Sequence, residues 1–505
     1  MYLWRKVDGL LNGTTMYRLM VYVLSVWVLL AIAFSFAGVL QYSWTGLGLS
    51  LVLAIASCYL ANLVFSWVWN VSTNSESWLI TALIVSCIMP QATTAPRIAG
   101  VIAAGCAAMA AKFIVAFHGK HVFNPAAFGA VVAGWVGLAY AGWWIGTPVM
   151  LPFVLIGGLL IVRKIRRFVL VSTFIGVSLV VTVIMTLMHN AAPLDALRLA
   201  IGSGPLIFLA TVMMTEPSTM PPRRSMQVVY AAITAILFAT HFGHGIWAVT
   251  PHFALILGNV FSFAVSPKRR LRLQLTEKRQ LGPNLYDFVF TPHAPLAFHA
   301  GQYLEWTLPH PHADDRGNRR TFTIASSPTE DTVHLGVKFY NPSSSFKRAL
   351  LAMEPGQQLW AGHLTGDFIL PDNPAQKMIW IAGGIGITPF RSMAQYIVDS
   401  KQQHDIVLFY AIADPQEQAY SEVFVQAKAY GLRLVPILGA KEIPANWHGL
   451  TGFLTPDIIN QEVPDYTERH FYMSGPNAMV TNYRTMAKKM GVPRGHIVTD
   501  YFPGY

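Results

Sequence analysis

Arg320-Thr-Phe-Thr-Ile-Ala-Ser-Ser-Pro328 is the stretch whose residue types most plainly suit chemistry. Arg320 offers a planar fork of donors that matches phosphate oxygens in pairs. Phe322 can stack near a planar ring, and the Thr323 hydroxyl can follow the protonation of a ring nitrogen. Thr321 completes the run. About 60 residues on, Gly383-Gly-Ile-Gly-Ile-Thr-Pro389 ends an apolar, strand-like run. Glycines at Gly383, Gly384 and Gly386 let a backbone approach a pyrophosphate, and the helix expected after Thr388 and Pro389 presents its positive end. About 85 residues further, Met473-Ser474-Gly475-Pro476 closes another such run. One glycine loop alone is a weak signal. The three runs in this order are much harder to obtain by chance.

These runs need a frame. From Arg272 to Leu370 the pattern is short β-like runs and turn residues: LYDFVF, QYLEWTL, RTFTIAS, VHLGVKFY, QQLWAG and DFILP. That pattern predicts a small antiparallel β-barrel. From Lys377 onward MIWIAG, DIVLFYAI, LRLVPIL and HFYMSG alternate with helical patterns, which predicts an α/β parallel sheet. The expected domains are 267–373 for the barrel and 374–505 for the nucleotide-binding layer.

Residues 1–266 read differently. The chain has 505 residues, 53% hydrophobic and only 12% charged, and most of its apolar excess lies in this half. Ten apolar segments are expected, at 19–40, 46–68, 77–90, 98–117, 126–145, 148–162, 168–188, 203–215, 227–241 and 247–265, forming an all-α multi-pass membrane domain. Arg5 with Lys6, Arg163 to Arg167, Arg223-Arg224 and Lys268 to Arg270 then fall on one side, with both chain ends. The positive-inside rule makes that side cytoplasmic. The net charge of +11 therefore reads as topology, not as nucleic-acid affinity. All three cysteines lie in the membrane half, so the soluble half carries no disulfide and no cysteine-ligated cluster.

SESWLITALIVSCIMP (75–90) and SGPLIFLATVMMTEP (203–217) are both short, start at Ser and end at Pro, and face opposite ways in a ten-span topology. They suggest an inverted repeat with interrupted helices and a phosphate seat at the starts near Ser75 and Ser203. Asn124-Pro125 should stop one element and start the next. Lys112, Lys120 and His121 are placed to meet a phosphate, the competing reading being residues that set topology. His118 with His121 and His241 with His244 are local pairs on opposite sides, not a haem set, and no metal site is expected.

Residues 272–505 resemble the ferredoxin–NADP reductase family of flavoproteins along their whole length, through Arg320-x-Phe322-Thr323, SSSFKRAL (343–350), GGIGITP and Ser474-Gly475-Pro476. The resemblance implies that Arg320 pairs with the FAD pyrophosphate, Phe322 lies near the flavin and Thr323 reaches its reactive nitrogen. It implies a second phosphate turn at Ser344, Ser345 and Phe346, a contact from Lys338, and nicotinamide-nucleotide contacts from Gly383, Gly384, Gly386, Thr388, Pro389, Gly475 and Pro476. Ser474 stands where the family usually has Cys. Thr323, Thr388 and Ser474 are then the catalytic candidates, and Tyr501 or Phe502 in the terminal YFPGY would cover the flavin. After IVLFYA come Asp414 and Glu417 with no Lys or Arg before Lys428, which favours NADH over NADPH.

Residues 1–266 resemble the flavin-carrying membrane subunits of two complexes, through NSESWLITALIV, AKFIVAFHGKHVFNPAAFG and TEPSTMPP. These are the D-type component of the Rnf electron-transport complex and the B-type component of the sodium-pumping NADH:quinone reductase. In those components FMN is esterified to a threonine before Pro-Leu; here Ala192 precedes Pro193-Leu194 and has no oxygen to esterify. A membrane carrier is thus expected to be FMN or riboflavin held non-covalently, or a quinone. The leading expectation is an inner-membrane oxidoreductase with its soluble domains in the cytoplasm. It takes hydride from NAD(P)H onto FAD and passes electrons to a quinone or an extracytoplasmic flavoprotein, as a homo-oligomer or with partner subunits. A redox-driven ion pump and a merely anchored flavin reductase are the alternatives. Against the pump, both candidate carboxylates, Glu76 and Glu216, lie at segment boundaries.

Overall fold

The computed structural model describes residues 7, 11, 14–69, 75–117, 120–240, 249–266, 271–311, 314, 318–439, 443–445 and 447–502, with the side chains of Ser75, Lys120, Tyr501 and Phe502 outside that description. The chain divides into two compact units, Met1–Arg269 and Arg270–Tyr505.

The first unit is helical. Met16–Phe36, Trp44–Val68, Ala95–Phe113 and Phe168–Met188 are long and apolar enough to cross a membrane. Pro193–Gly202 and Leu206–Met213 form a pair bent by 57° that counts as a fifth if taken as one span. The described helices are therefore four or five full-length candidates with shorter apolar helices between them. Thr15 and Ser43 cap the first two, accepting from Arg18 N at 3.1 Å and Gly46 N at 3.2 Å.

Two apolar runs depart from expectation. The run at 126–145 is helical only over Pro125–Trp135. Beyond it the chain turns back, and the amides of Gly142 and Trp143 donate to the Ile88 carbonyl at 2.9 and 3.0 Å. Those donors complete the end of the Ser75–Ile88 helix, whose last carbonyls have no partner within the helix. The run at 203–215 starts as a helix at Leu206 and continues as a π-helical turn, Leu209–Met213.

The second unit holds two six-stranded sheets. One is antiparallel, in the order Arg319–Thr323, Tyr303–Thr307, Gln358–Thr365, Leu271–Gly282, Leu285–Pro292, Val333–Lys338. Phe288, Phe290, Trp306 and Phe346 are fully buried inside it. The edge strands of this sheet are not laddered together among the described residues, although Ala325 N donates to His334 O at 2.9 Å near their ends. DFILP is not a strand: Phe368 leaves the sheet to pack on Phe390 and Tyr472.

The other sheet is parallel, in the order Leu450–Thr451, Leu432–Leu438, Ile406–Ile412, Met378–Gly383, His470–Pro476, Ile497–Phe502. Met378–Gly383, the first of these strands in the chain, lies at its centre. Later strands add first on one side and then on the other. That reversal of strand order opens a crevice at the carboxyl ends of the strands, where such sheets hold their ligands.

Candidate functional site

The crevice explains why two motifs ninety residues apart meet. Met378–Gly383 and His470–Pro476 are neighbours in register, Ser474 opposite Ala382, so both motif turns leave the sheet side by side. A Cβ on Gly386 would lie 2.4 Å from the Ser474 carbonyl oxygen and 2.6 Å from the Gly475 Cα. Only glycine lets the two turns close this tightly. Gly384 sits at φ +51° with open space where a side chain would be, and Gly475 at φ +149°. Pro389 opens the helix Thr388–Ser400, where Thr388 donates to Ile385 O at 3.2 Å.

The antiparallel sheet supplies the other wall. Arg320 projects from its edge strand, with its guanidinium 5.4 Å from the Phe346 ring centre. Its Nη1 donates to Arg319 O at 2.6 Å and its Nη2 to Asp314 Oδ1 at 3.2 Å. Ser344 caps the Ser345–Leu351 helix through Lys347 N at 3.3 Å, and Ser345 N donates to Asp314 Oδ2 at 2.9 Å. Arg320, Ser344 and Ser345 are therefore brought together, as the motif implied.

Phe346 is not a surface contact. It is fully buried and, with Phe322 5.9 Å away, holds the base of this corner. Thr321 is exposed on the same edge strand. Lys338 is committed elsewhere, donating to Glu417 at 2.5 Å across to the parallel sheet. Asp414 accepts from Gln416 N at 2.9 Å, so both acids expected near the ribose are engaged within the chain. Tyr501 and Phe502 lie on the last strand opposite Gly475 and Pro476, but their side chains fall outside the described residues.

Two catalytic candidates share a feature. Thr323 Oγ1 and Ser474 Oγ are both buried and without a hydrogen-bond partner. Such an orphaned hydroxyl costs about 1–3 kcal/mol unless something completes it. A flavin and a nicotinamide ring bound as the family resemblance implies would supply that partner. The residues present thus fit the two dinucleotides, with Arg320 and Ser345 for one and the Gly383–Pro389 and Ser474–Pro476 turns for the other.

A clamp that the motifs did not reveal ties these walls together. Arg391 pairs with Glu330, its Nη2 donating to Oε1 at 2.9 Å, and its Nη1 donates to Ala325 O at 3.1 Å. Ser392 Oγ donates to Ser326 O at 2.6 Å. The IASS part of the opening stretch therefore anchors the helix that follows the glycine loop. Asp287, almost fully buried, meets His334 Nδ1 at 2.8 Å and accepts from the Tyr420 hydroxyl at 2.9 Å. Burial first, and then the Asp287 charge, push the Tyr420 phenol well above its ordinary range, so it remains a donor. A charged residue inside the apolar run LYDFVF was the one available signal.

In the helical unit two of the candidate phosphate ligands, Lys112 and Asn124, have other partners. Lys112 Nζ donates to Ser77 O at 2.8 Å and Ser77 Oγ at 3.1 Å. Asn124 accepts from Ala127 N at 3.0 Å as a helix cap, and donates through Nδ2 to Glu216 Oε2 at 2.8 Å and Met213 O at 3.3 Å. Its backbone N–H donates to Asn259 Oδ1 at 2.8 Å. Asn124 is a clamp between helices, which leaves it nothing to offer a phosphate. His121 lies in a two-stranded hairpin, its backbone paired with Ala116. His118, His241 and His244 lie outside the described residues. The joint seat near Ser75 and Ser203 is not formed. Ser75 begins a 14-residue helix, about 20 Å long. Ser203 follows the end of the Pro193–Gly202 helix, and neighbouring Gly204 meets Gly146, in the loop that caps Ile88. Glu216 lies just past the end of the Leu209–Met213 turn, at the boundary where it is expected, and accepts there from Asn124 and Thr219.

Comparison with known proteins bears on the second unit. Residues 380–485 match the Oxidoreductase NAD-binding domain family. This stretch is an NAD-binding module. The glycine betaine monooxygenase reductase subunit of Chromohalobacter salexigens is 25% identical over 222 residues, covering 43% of this chain and 59% of that protein. The F component of the Na(+)-translocating NADH-quinone reductase of Yersinia pestis is 29% identical over 203 residues, covering 37% of this chain and 49% of that protein. The chain thus spans about half the length of these relatives. Among solved structures, the Amycolatopsis cytochrome P450 reductase GcoB aligns at 23% identity and a TM-score of 0.42, over 47% of this chain and 71% of that one.

Proposed function

We propose that this protein is an NAD(P)H-dependent FAD oxidoreductase that delivers electrons into or across a membrane. The single observation that carries the reading is the closure of the glycine loop on the Ser474 turn, in the same unit as the Arg320 edge, with buried hydroxyls of Thr323 and Ser474 awaiting partners. Bound FAD supplies the two-electron to one-electron conversion that a hydride donor and a membrane chain require. The chain's own residues do the rest. Arg320 and the Ser345 amide hold phosphate, Thr388 and Ser474 flank the nicotinamide, and the Arg391–Glu330 clamp fixes their spacing. The reductase names of its relatives support the same reaction class.

For the membrane route the support is four apolar helices of spanning length, more than an anchor needs. On this reading the chain sits in the inner membrane, several times spanning, with its soluble unit in the cytoplasm. It hands electrons through a non-covalent flavin or a quinone to a quinone or an extracytoplasmic flavoprotein. A redox-driven ion pump is the second reading, favoured by the Glu216 carboxylate among Asn124 and Thr219. Sodium- or proton-dependence of NADH oxidation in proteoliposomes separates it from simple electron delivery.

Arg320→Ala tests the flavin site. Losing a charge-assisted pair costs about 1.5–3 kcal/mol, at least tenfold in affinity, so the purified variant should be largely colourless. Full FAD occupancy would refute the assignment. NADH is the expected donor, since Asp414 and Glu417 follow the second strand with no Lys or Arg in the sequence before Lys428; a higher kcat/KM with NADPH would reverse that preference.

A further inference from the structure

The flavin-phosphate corner already contains an anion, and it belongs to the chain. Asp314 Oδ1 accepts from Arg320 Nη2 at 3.2 Å, and Asp314 Oδ2 accepts from Ser345 N at 2.9 Å. The same residue's amide donates to Ser345 Oγ at 2.9 Å, and that hydroxyl also meets His310 Nε2 at 3.0 Å. One carboxylate therefore bridges a guanidinium and a backbone amide, the pair of donors that a phosphate would use here.

The two sides of this contact differ in how firmly they are held. Arg320 is pinned without help from Asp314, over the Phe346 ring and against Arg319 O, and its side chain is only 11% exposed. Ser345 N belongs to a helix capped by Ser344. The donors therefore persist if the carboxylate leaves, whereas Asp314 is 26% exposed and has water to move into. A pyrophosphate and Asp314 cannot share these donors, because two anions at hydrogen-bond distance of one guanidinium repel each other.

We propose that Asp314 is a built-in competitor for the flavin's pyrophosphate, and that it sets FAD affinity by occupying Arg320 and the Ser345 amide until FAD displaces it. The chemistry is one anion exchanged for another on fixed donors, so FAD binds as an exchangeable ligand rather than a permanently held group. This inference rests on the reading of Arg320 as the FAD phosphate ligand.

The test uses the full chain in detergent, stripped of flavin and titrated with FAD while flavin fluorescence is followed. Asp314→Asn keeps the shape and removes the charge, and should lower the Kd for FAD about tenfold, the scale of one charge-assisted hydrogen bond. Asp314→Ala should tighten binding likewise, which guards against an effect peculiar to asparagine. Asp314→Glu, which keeps the charge, should bind less tightly than Asp314→Asn. Wild-type or weaker affinity in both neutral variants would overturn the proposal, because Asp314 would then be orienting Arg320 for FAD. Arg320→Ala in the same titration separates the two levels. Weakened binding there with no gain in Asp314→Asn defeats only the competitor, whereas unweakened binding defeats the flavin site and the competitor together.

Discussion

Thr323 and Ser474, the proposed carriers of the site's chemistry, each present a buried hydroxyl with no partner among the described residues. Replacing Thr323 by Val keeps the shape and removes only the oxygen. The expected result is a rate of flavin reduction by NADH lower by about a hundredfold, the scale of one lost preorganised donor, with FAD content retained. A variant that reduces at the wild-type rate would show that the hydroxyl serves packing alone, and rapid-mixing absorbance of the flavin reads the difference. At this scale the motifs were informative where neighbours in sequence act together. Arg320, Ser344 and Ser345 come together around Asp314, and Thr388 opens the helix after the glycine loop. Residues whose partners lie far away left little local trace beyond the charge of Asp287 in its apolar run. Tyr420 finds Asp287 across 133 positions, and Asp314 finds Ser345 across 31. Neither pairing has a periodicity or a spacing that a linear reading could detect.

Elements set how closely the two walls approach. Gly336, in the strand Val333–Lys338, faces the loop and helix of the other sheet. A Cβ there would lie 2.6 Å from the Tyr420 hydroxyl and 2.7 Å from Thr388 Cγ2. Gly336→Ala should therefore push Thr388 away from the flavin wall. We expect a loss of about 1–3 kcal/mol of stability, typical of overpacking, together with a lower kcat; calorimetry and steady-state kinetics check both. Unchanged stability and turnover would mean that the two walls are not in rigid contact here. Strand types were legible because buried parallel strands read as continuous apolar runs, as in Met378–Gly383. The Leu271–Gly282 strand, the longest in its sheet, was passed over: its alternation lasts only through Leu275, and charged, exposed residues follow. In the helical unit hydropathy located apolar chain but not its conformation. Apolar loops such as 136–150 look like helix when their amides are satisfied by another helix's end rather than by their own turn.

The whole molecule joins a nucleotide-binding reductase unit to a helical unit with at least four helices of spanning length. The central claim is that electrons from NADH enter at the soluble unit and leave through the membrane. It is tested most directly by sealing ferricyanide inside proteoliposomes and adding NADH outside, since neither crosses a bilayer unaided. The account predicts that the trapped ferricyanide is reduced, and that Arg320→Ala abolishes this reduction. Reduction of ferricyanide added outside, with the trapped pool left oxidised, would contradict a route across the membrane.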